Sequence, residues 1–156
     1  MWYPRFRFAE ALLIAAEAAY ELGGTNKVKA VEYINRVRAR GGIKELTEST
    51  ITFEHIVNEY RVEFAFEDHR WWDLRRWRLA HTVWNGVIDS PTAQMYSLFP
   101  YKVYAPGSPY DGKWAFEKSR SYMAPNARNF TMRCYYGSID DGWINKNPKL
   151  VKNPLQ

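Results

Sequence analysis

The densest collection of titratable and ring-bearing side chains lies between Glu59 and Trp77, in the run Glu-Tyr-Arg-Val-Glu-Phe-Ala-Phe-Glu-Asp-His-Arg-Trp-Trp-Asp-Leu-Arg-Arg-Trp. Three readings compete for it: a metal or acid–base site, a nucleic-acid surface and a structural role. His55, Glu59 and Glu63 are spaced four apart and would share a helix face, as metal ligands can. The fuller motif of two histidines flanking a glutamate is absent, so a solvated helix face is the plainer reading. Glycoside hydrolysis needs paired carboxylates, but in a chain with 17 Asp and Glu no pair stands out by spacing, and no catalytic residue is nominated. Arg70, Arg75, Arg76 and Arg78 among Trp71, Trp72 and Trp77 resemble a surface that stacks on bases and contacts phosphates. Glu59, Glu63, Glu67, Asp68 and Asp73 are equally dense and cancel that attraction, which argues against nucleic acid. The third reading is structural. On a helix Asp73 reaches Arg76 and Trp77, and Trp71 covers Leu74 and Arg78, as expected of a helix buried within a larger body.

The elements that position this run are helical. From Phe6 to Leu22, Phe6, Ala9, Leu13, Ala16 and Tyr20 form one apolar stripe, with Phe8, Leu12, Ala15 and Ala19 beside it. That face is wide enough to be contacted from two sides. Gly23-Gly24 stops this helix, and a second runs over Lys27–Arg40 with Val28, Val31, Ile34 and Val37 inward, ended by Gly41-Gly42. A short turn between them makes a helical hairpin. Thr52 is expected to cap a third, long helix over Phe53–Ala80, with a break near Asp68-His69. Beyond Ser90-Pro91, prolines and glycines are too frequent for long helices. Residues 91–156 are expected to be an irregular segment packed on a helical scaffold of residues 1–90, the whole of 1–156 being one region. Tyr101–Tyr104 and Phe130–Tyr136 are candidate short strands.

Composition narrows the classes further. Aromatic residues make up 17% of the chain, and the formal charge is +5. The rings imply an aromatic core or a surface meant to meet a partner. Basic residues interleave with acidic ones without long runs, so the excess points to no anionic partner. Cys134 stands alone, which excludes an intrachain disulfide and a cysteine zinc cluster, and it is expected to be a small buried hydrophobe. No apolar window is long enough to span a membrane. Met1-Trp2-Tyr3-Pro4-Arg5 lacks the features of an export signal.

Three motifs in order carry a family resemblance. Arg61–Trp77 closely resembles the signature helix of SusD/RagB proteins, with Arg61, Glu63, Glu67, Arg70, Trp72, Asp73, Arg76 and Trp77 as its structural signature. Arg7–Gly23 with Ala30–Arg40 and Gly41-Gly42 is similar to that family's helical hairpin, and Ala18–Gly23 with Ala30, Val31 and Ile34 looks like a tetratricopeptide-type unit. The ending Asn147-Pro-Lys-Leu-Val-Lys-Asn-Pro154 resembles the family's terminal motif; Leu155-Gln156 departs from its commoner last residues.

The resemblance implies a mainly α fold: a SusD-like helical scaffold with tetratricopeptide-like helix pairs and a loop-rich C-terminal wrap. It implies a binding protein, not an enzyme, with no cofactor or metal. The ligand would be an oligosaccharide and the partner a SusC-like TonB-dependent transporter. The place would be the outer membrane's outer face, reached through a lipid anchor upstream of this chain, itself the C-terminal portion. Ligand contacts are expected from loops, with Tyr104, Tyr110 and Trp114 beside Asp111 and Lys113 as the candidates. Such a glycan binder should respond little to salt. The alternative is a freestanding helical-repeat adaptor that binds another protein through its aromatics.

Overall fold

The computed structural model describes residues 6–122 and 124–155. Met1–Arg5 and Gln156, which enter the sequence reading, lie outside them. The fold is mainly helical. The chain divides into two compact units, one running up to Asp73 and one from Leu74 on.

The first unit is built on α1 (Phe8–Leu22), α2 (Lys27–Arg40) and α3 (Phe53–Glu63), with a 3-10 turn at Gly24–Asn26. Small residues let the helices approach. Ala16, Ala19 and Ala30 are buried between α1 and α2, beside Leu13 and Ile34. As expected from its wide apolar face, α1 packs on both α2 and α3. Full burial of Leu13, Ile34 and Ile56 contributes about 1.5–3 kcal/mol each. Phe6, Phe8 and Val28, expected inward, are instead exposed because they fall at helix starts beyond the packed stretch.

Chain stops follow local chemistry. At the end of α2 the Ile43 N–H donates to the Arg38 carbonyl and Gly42 N–H to that of Ala39, with Gly42 at φ 65°. This is a Schellman ending, which needs a left-handed residue where glycine stands. The loop after it is held by Asn35, whose side chain donates to the Leu46 carbonyl at 2.8 Å and accepts its N–H at 2.9 Å. Thr52 caps α3 as expected, its hydroxyl accepting the His55 N–H.

The long third helix is broken further than its periodicity suggests. It stops at Glu63, resumes as α4 (His69–Arg76), stops again and adds one turn as α5 (Ala80–Val83). Phe66, Asp68 and Arg78 hold positive φ, so the breaks are left-handed reversals of the backbone.

The second unit has a small core of Leu74, Ala80, Trp84 and Phe130, covered by Leu79, Val83 and Tyr135. A bridge between Asn85 and Asn129 brings two distant segments together, with Phe130 N–H donating to the Trp84 carbonyl at 2.7 Å. Two antiparallel strands, β1 (Tyr96–Lys102) and β2 (Trp114–Arg120), form a ribbon exposed on both faces. The half expected to be irregular therefore contains a regular hairpin. Phe130–Tyr136 is not a strand. Residues Met132–Tyr135 wind into a 3-10 turn, because Tyr135 folds back edge-on to Phe130 and its carbonyl accepts from Arg75. A last short helix, α6 (Asp141–Lys146), starts at the Asp140 cap.

Candidate functional site

The signature run meets the helical hairpin through ion pairs. Arg7 precedes α1 in an extended conformation, and its guanidinium donates to both oxygens of Glu67 at 2.9 and 2.8 Å. It also donates to Glu63 Oε1 at 2.6 Å and lies 4.8 Å from the Phe64 ring centroid. Hydrogen bonds donated to Glu67 raise the Arg7 pKa above its ordinary value, against the cost of burial. Glu63 accepts from Arg40 as well, at 2.7 Å. One turn earlier the buried Glu59 accepts from Arg38, which also donates to the Lys44 carbonyl. So α3 presents a seam of carboxylates to the start of α1 and the end of α2.

That seam corrects the reading of a solvated face. Glu59 and Glu63 are committed to arginines, and the His55 ring contacts the Thr52 hydroxyl at 2.7 Å. Among the described residues no three His, Cys, Asp or Glu side chains are grouped as metal ligands.

Other signature residues scatter. Arg61 and Trp72 are exposed, Asp73 is buried, and Arg76 lies 4.4 Å from the Trp77 ring centroid. Arg70 is half-buried, with one guanidinium nitrogen lacking a hydrogen-bond partner among the described residues. Burial, with Arg61 nearby, lowers its pKa. Arg78 packs on the Tyr135 and Tyr136 rings, at 4.5 and 5.1 Å. Cys134 is exposed rather than buried, because the 3-10 turn carries it outward. Its Sγ sits 3.3 Å from the Thr131 hydroxyl, which with the Thr131 backbone holds the thiol below its usual range.

The candidate ligand residues fall together at one end of the ribbon. Tyr104 and Tyr110 lie in the loop between β1 and β2, and Trp114 opens β2. All three rings are open to solvent, Tyr104 at 88% and Trp114 at 65%. The loop itself is well bonded. Asp111 accepts the Ala105 N–H at 2.9 Å, and Val103 exchanges backbone bonds with Gly112 and Lys113. Asp111 is thus a loop-shaping residue, while the Lys113 ammonium stands 5.6 Å from the Tyr110 ring centroid.

At the other end of the ribbon, Asp89 ties the strands. It accepts from the Tyr96 hydroxyl at 2.7 Å and from Arg120 at 3.1 and 3.0 Å. The Tyr96 and Arg120 bonds hold the Asp89 carboxyl below its usual range, and the bond to Asp89 pushes the Tyr96 phenol up. Sequence reasoning missed this end and the exposed Phe116. The alternation in Trp114-Ala-Phe-Glu-Lys-Ser-Arg120 carried the signal, since rings and cations fall on every second residue.

Rings with polar groups beside them suit a sugar, whose C–H face lies on an aromatic plane while its hydroxyls need accessible partners. Comparison with known proteins gives these features a context. The model of the SusD family matches residues 1–155. SusD-like protein P2 of Formosa agariphila is 36% identical over 101 residues, covering 57% of this chain and 20% of its own length. The starch-binding protein SusD of Bacteroides thetaiotaomicron is 33% identical over 107 residues, covering 64% of this chain and 18% of its own. Among solved structures, a SusD-like protein from Bacteroides fragilis superimposes with a TM-score of 0.69 at 27% identity, over 97% of this chain and 25% of that one. Surface glycan-binding protein A from Bacteroides uniformis gives 0.54 at 26%, over 97% of this chain and 27% of its own. The chain spans about a fifth of the curated relatives and about a quarter of the solved ones. A match along nearly its whole length settles the affiliation: the chain belongs to the SusD family.

Proposed function

We propose that this chain is part of a non-catalytic binding protein that captures oligosaccharides at the cell surface and delivers them to a SusC-like TonB-dependent transporter of the outer membrane. The observation that carries the reading is the ribbon end, where Tyr104, Tyr110 and Trp114 stand exposed on a well-bonded loop. Exposed rings cost solvation, and a group of them on an ordered loop fits a binding surface. Support comes from the relatives, two of which are described as starch-binding and surface glycan-binding. Attachment to the membrane through a lipid anchor outside this chain is part of the same proposal; among the described residues no helix is long and apolar enough to cross a membrane.

The test is calorimetric titration of the intact protein with a panel of oligosaccharides. Tyr104→Ala, Tyr110→Ala and Trp114→Ala should each weaken binding about tenfold, at one ring contact of roughly 1–1.5 kcal/mol, with unchanged circular dichroism. Unchanged affinity in all three would remove the ribbon end from the site. Recovery of the native protein from an outer-membrane fraction with a transporter would support delivery; a cytosolic protein without one would sink it and favour an adaptor.

A further inference from the structure

The two faces of the ribbon differ in charge, and the difference specifies the ligand of the glycan-binding reading, on which this inference rests. Directly paired residues of an antiparallel ladder project to the same side. The pairs Lys102 with Trp114, Pro100 with Phe116, and Leu98 with Lys118 therefore share one face, together with Tyr96 and Arg120. The Lys118 ammonium lies 3.8 Å from the Tyr96 ring centroid, as side chains on one side must. The strands' only carboxylate, Glu117, pairs with Phe99 on the opposite face. Every cation of the two strands thus stands with Trp114 and Phe116.

Asp89 neutralises Arg120 with a two-pronged contact. Among the described residues Lys102 and Lys118 make no salt bridge. They stand four ladder positions apart, about 13 Å along the strands, so they would engage different sugar units rather than one charge. The wider chain agrees. Up to Pro100 there are thirteen Lys and Arg against thirteen Asp and Glu; after it there are nine against four. The whole excess of +5 lies in the part of the chain that contains β2 and the loop. Interleaving along the sequence concealed this, because charges that alternate in sequence separate onto two faces of a ribbon.

We propose that this face takes an acidic glycan, one bearing carboxylate or sulfate groups, with sugar rings on Trp114 and Phe116 and anionic substituents at Lys102 and Lys118. Ammonium groups beside exposed rings supply both halves of such recognition, an apolar plane and a counter-charge. Binding would be screened by salt, contrary to the expectation for a neutral ligand.

The experiment measures binding of the intact protein to two matched pairs: polygalacturonate with its methyl ester, and dextran sulfate with dextran. The charged member of at least one pair should bind about tenfold or more tightly than its neutral partner, and weaken as salt rises to about 0.5 M. The pair that responds distinguishes carboxylate from sulfate. Joint Lys102→Gln and Lys118→Gln replacement should remove about tenfold of that affinity. Charged binding that survives the replacement overturns the proposal. Neutral glycans bound as tightly as charged ones also overturn it while leaving glycan binding intact. Failure to bind any member of these pairs or of the neutral oligosaccharide panel overturns both readings, as does retention on anionic vesicles alone.

Discussion

Arg7 and Glu63 meet at 2.6 Å although 56 positions separate them in the chain. The Glu63 side chain is only 10% exposed and serves two guanidinium groups, whereas Arg40, its other partner, is 67% exposed. Glu63→Ala leaves the half-buried Arg7 short of a counter-ion and should destabilise the first unit by about 1–3 kcal/mol. Arg40→Ala removes only a solvated charge and should cost less than about 1 kcal/mol. Urea unfolding compares the two, and equal losses would contradict the seam described above.

Gly86 sits at φ 75° beside the Asn85–Asn129 bridge, and a Cβ there would lie 3.0 Å from the Asn129 side-chain carbon. Both the backbone region and the space exclude a side chain. Gly86→Ala should lower stability by about 1–3 kcal/mol and be seen as a drop in melting temperature. An unchanged melt would mean that the bridge tolerates rearrangement.

Asp89 and Tyr96 make the foot of the ribbon sensitive to pH at both extremes. The folded Asp89 carboxyl is held low, so its contribution is complete above the ordinary carboxylate range, about 4, and is lost as pH falls through the lower folded value. Tyr96 has the opposite sign. Its raised phenol contributes fully below the ordinary range, about 10, and loses that contribution as pH rises through the folded value. Asp89→Asn should return the Tyr96 titration towards ordinary phenol behaviour, followed by difference absorbance against a Tyr96→Phe control. A Tyr96 curve unmoved by Asp89→Asn would break the assignment.

Cys134 should be the chain's reactive thiol. It is exposed, and the Thr131 hydroxyl 3.3 Å away favours its thiolate. Iodoacetamide should label it faster than a free model thiol near neutral pH, and Thr131→Val should slow the labelling several-fold. Equal rates with and without the hydroxyl would assign the reactivity to exposure alone.

The helical hairpin was legible in the sequence because its information is local: apolar spacing, Gly23, Gly41-Gly42 and the Thr52 cap lie within the elements they define. A break near Asp68-His69 was expected and is found, but its extent over residues 64–68 and the second stop at residues 77–79 were not, since helical periodicity continues through residues whose backbone turns left-handed. Phe130–Tyr136 reads as a strand by composition, yet the edge-on packing of Tyr135 on Phe130 winds it into a turn. Family-like motifs marked Glu63 and Glu67, but which arginines they would hold depends on contacts some sixty residues away. For the candidate site, Tyr104, Tyr110 and Trp114 were nominated from ring chemistry and loop character. The strand pairing that adds Phe116, Lys102 and Lys118 needed the register, which a long hairpin loop leaves open.

The seam around Arg7 also has a kinetic consequence. Its bonds to Glu63 and Glu67 join residues 56 and 60 positions apart, so they carry a larger loop-closure cost than the local α1–α2 contact and are expected to form after it. Interactions absent from the folding transition state act mainly on the rate of unfolding. Arg7 is therefore expected to act as a late latch: its loss should speed unfolding of the first unit more than it slows the assembly of α1 on α2.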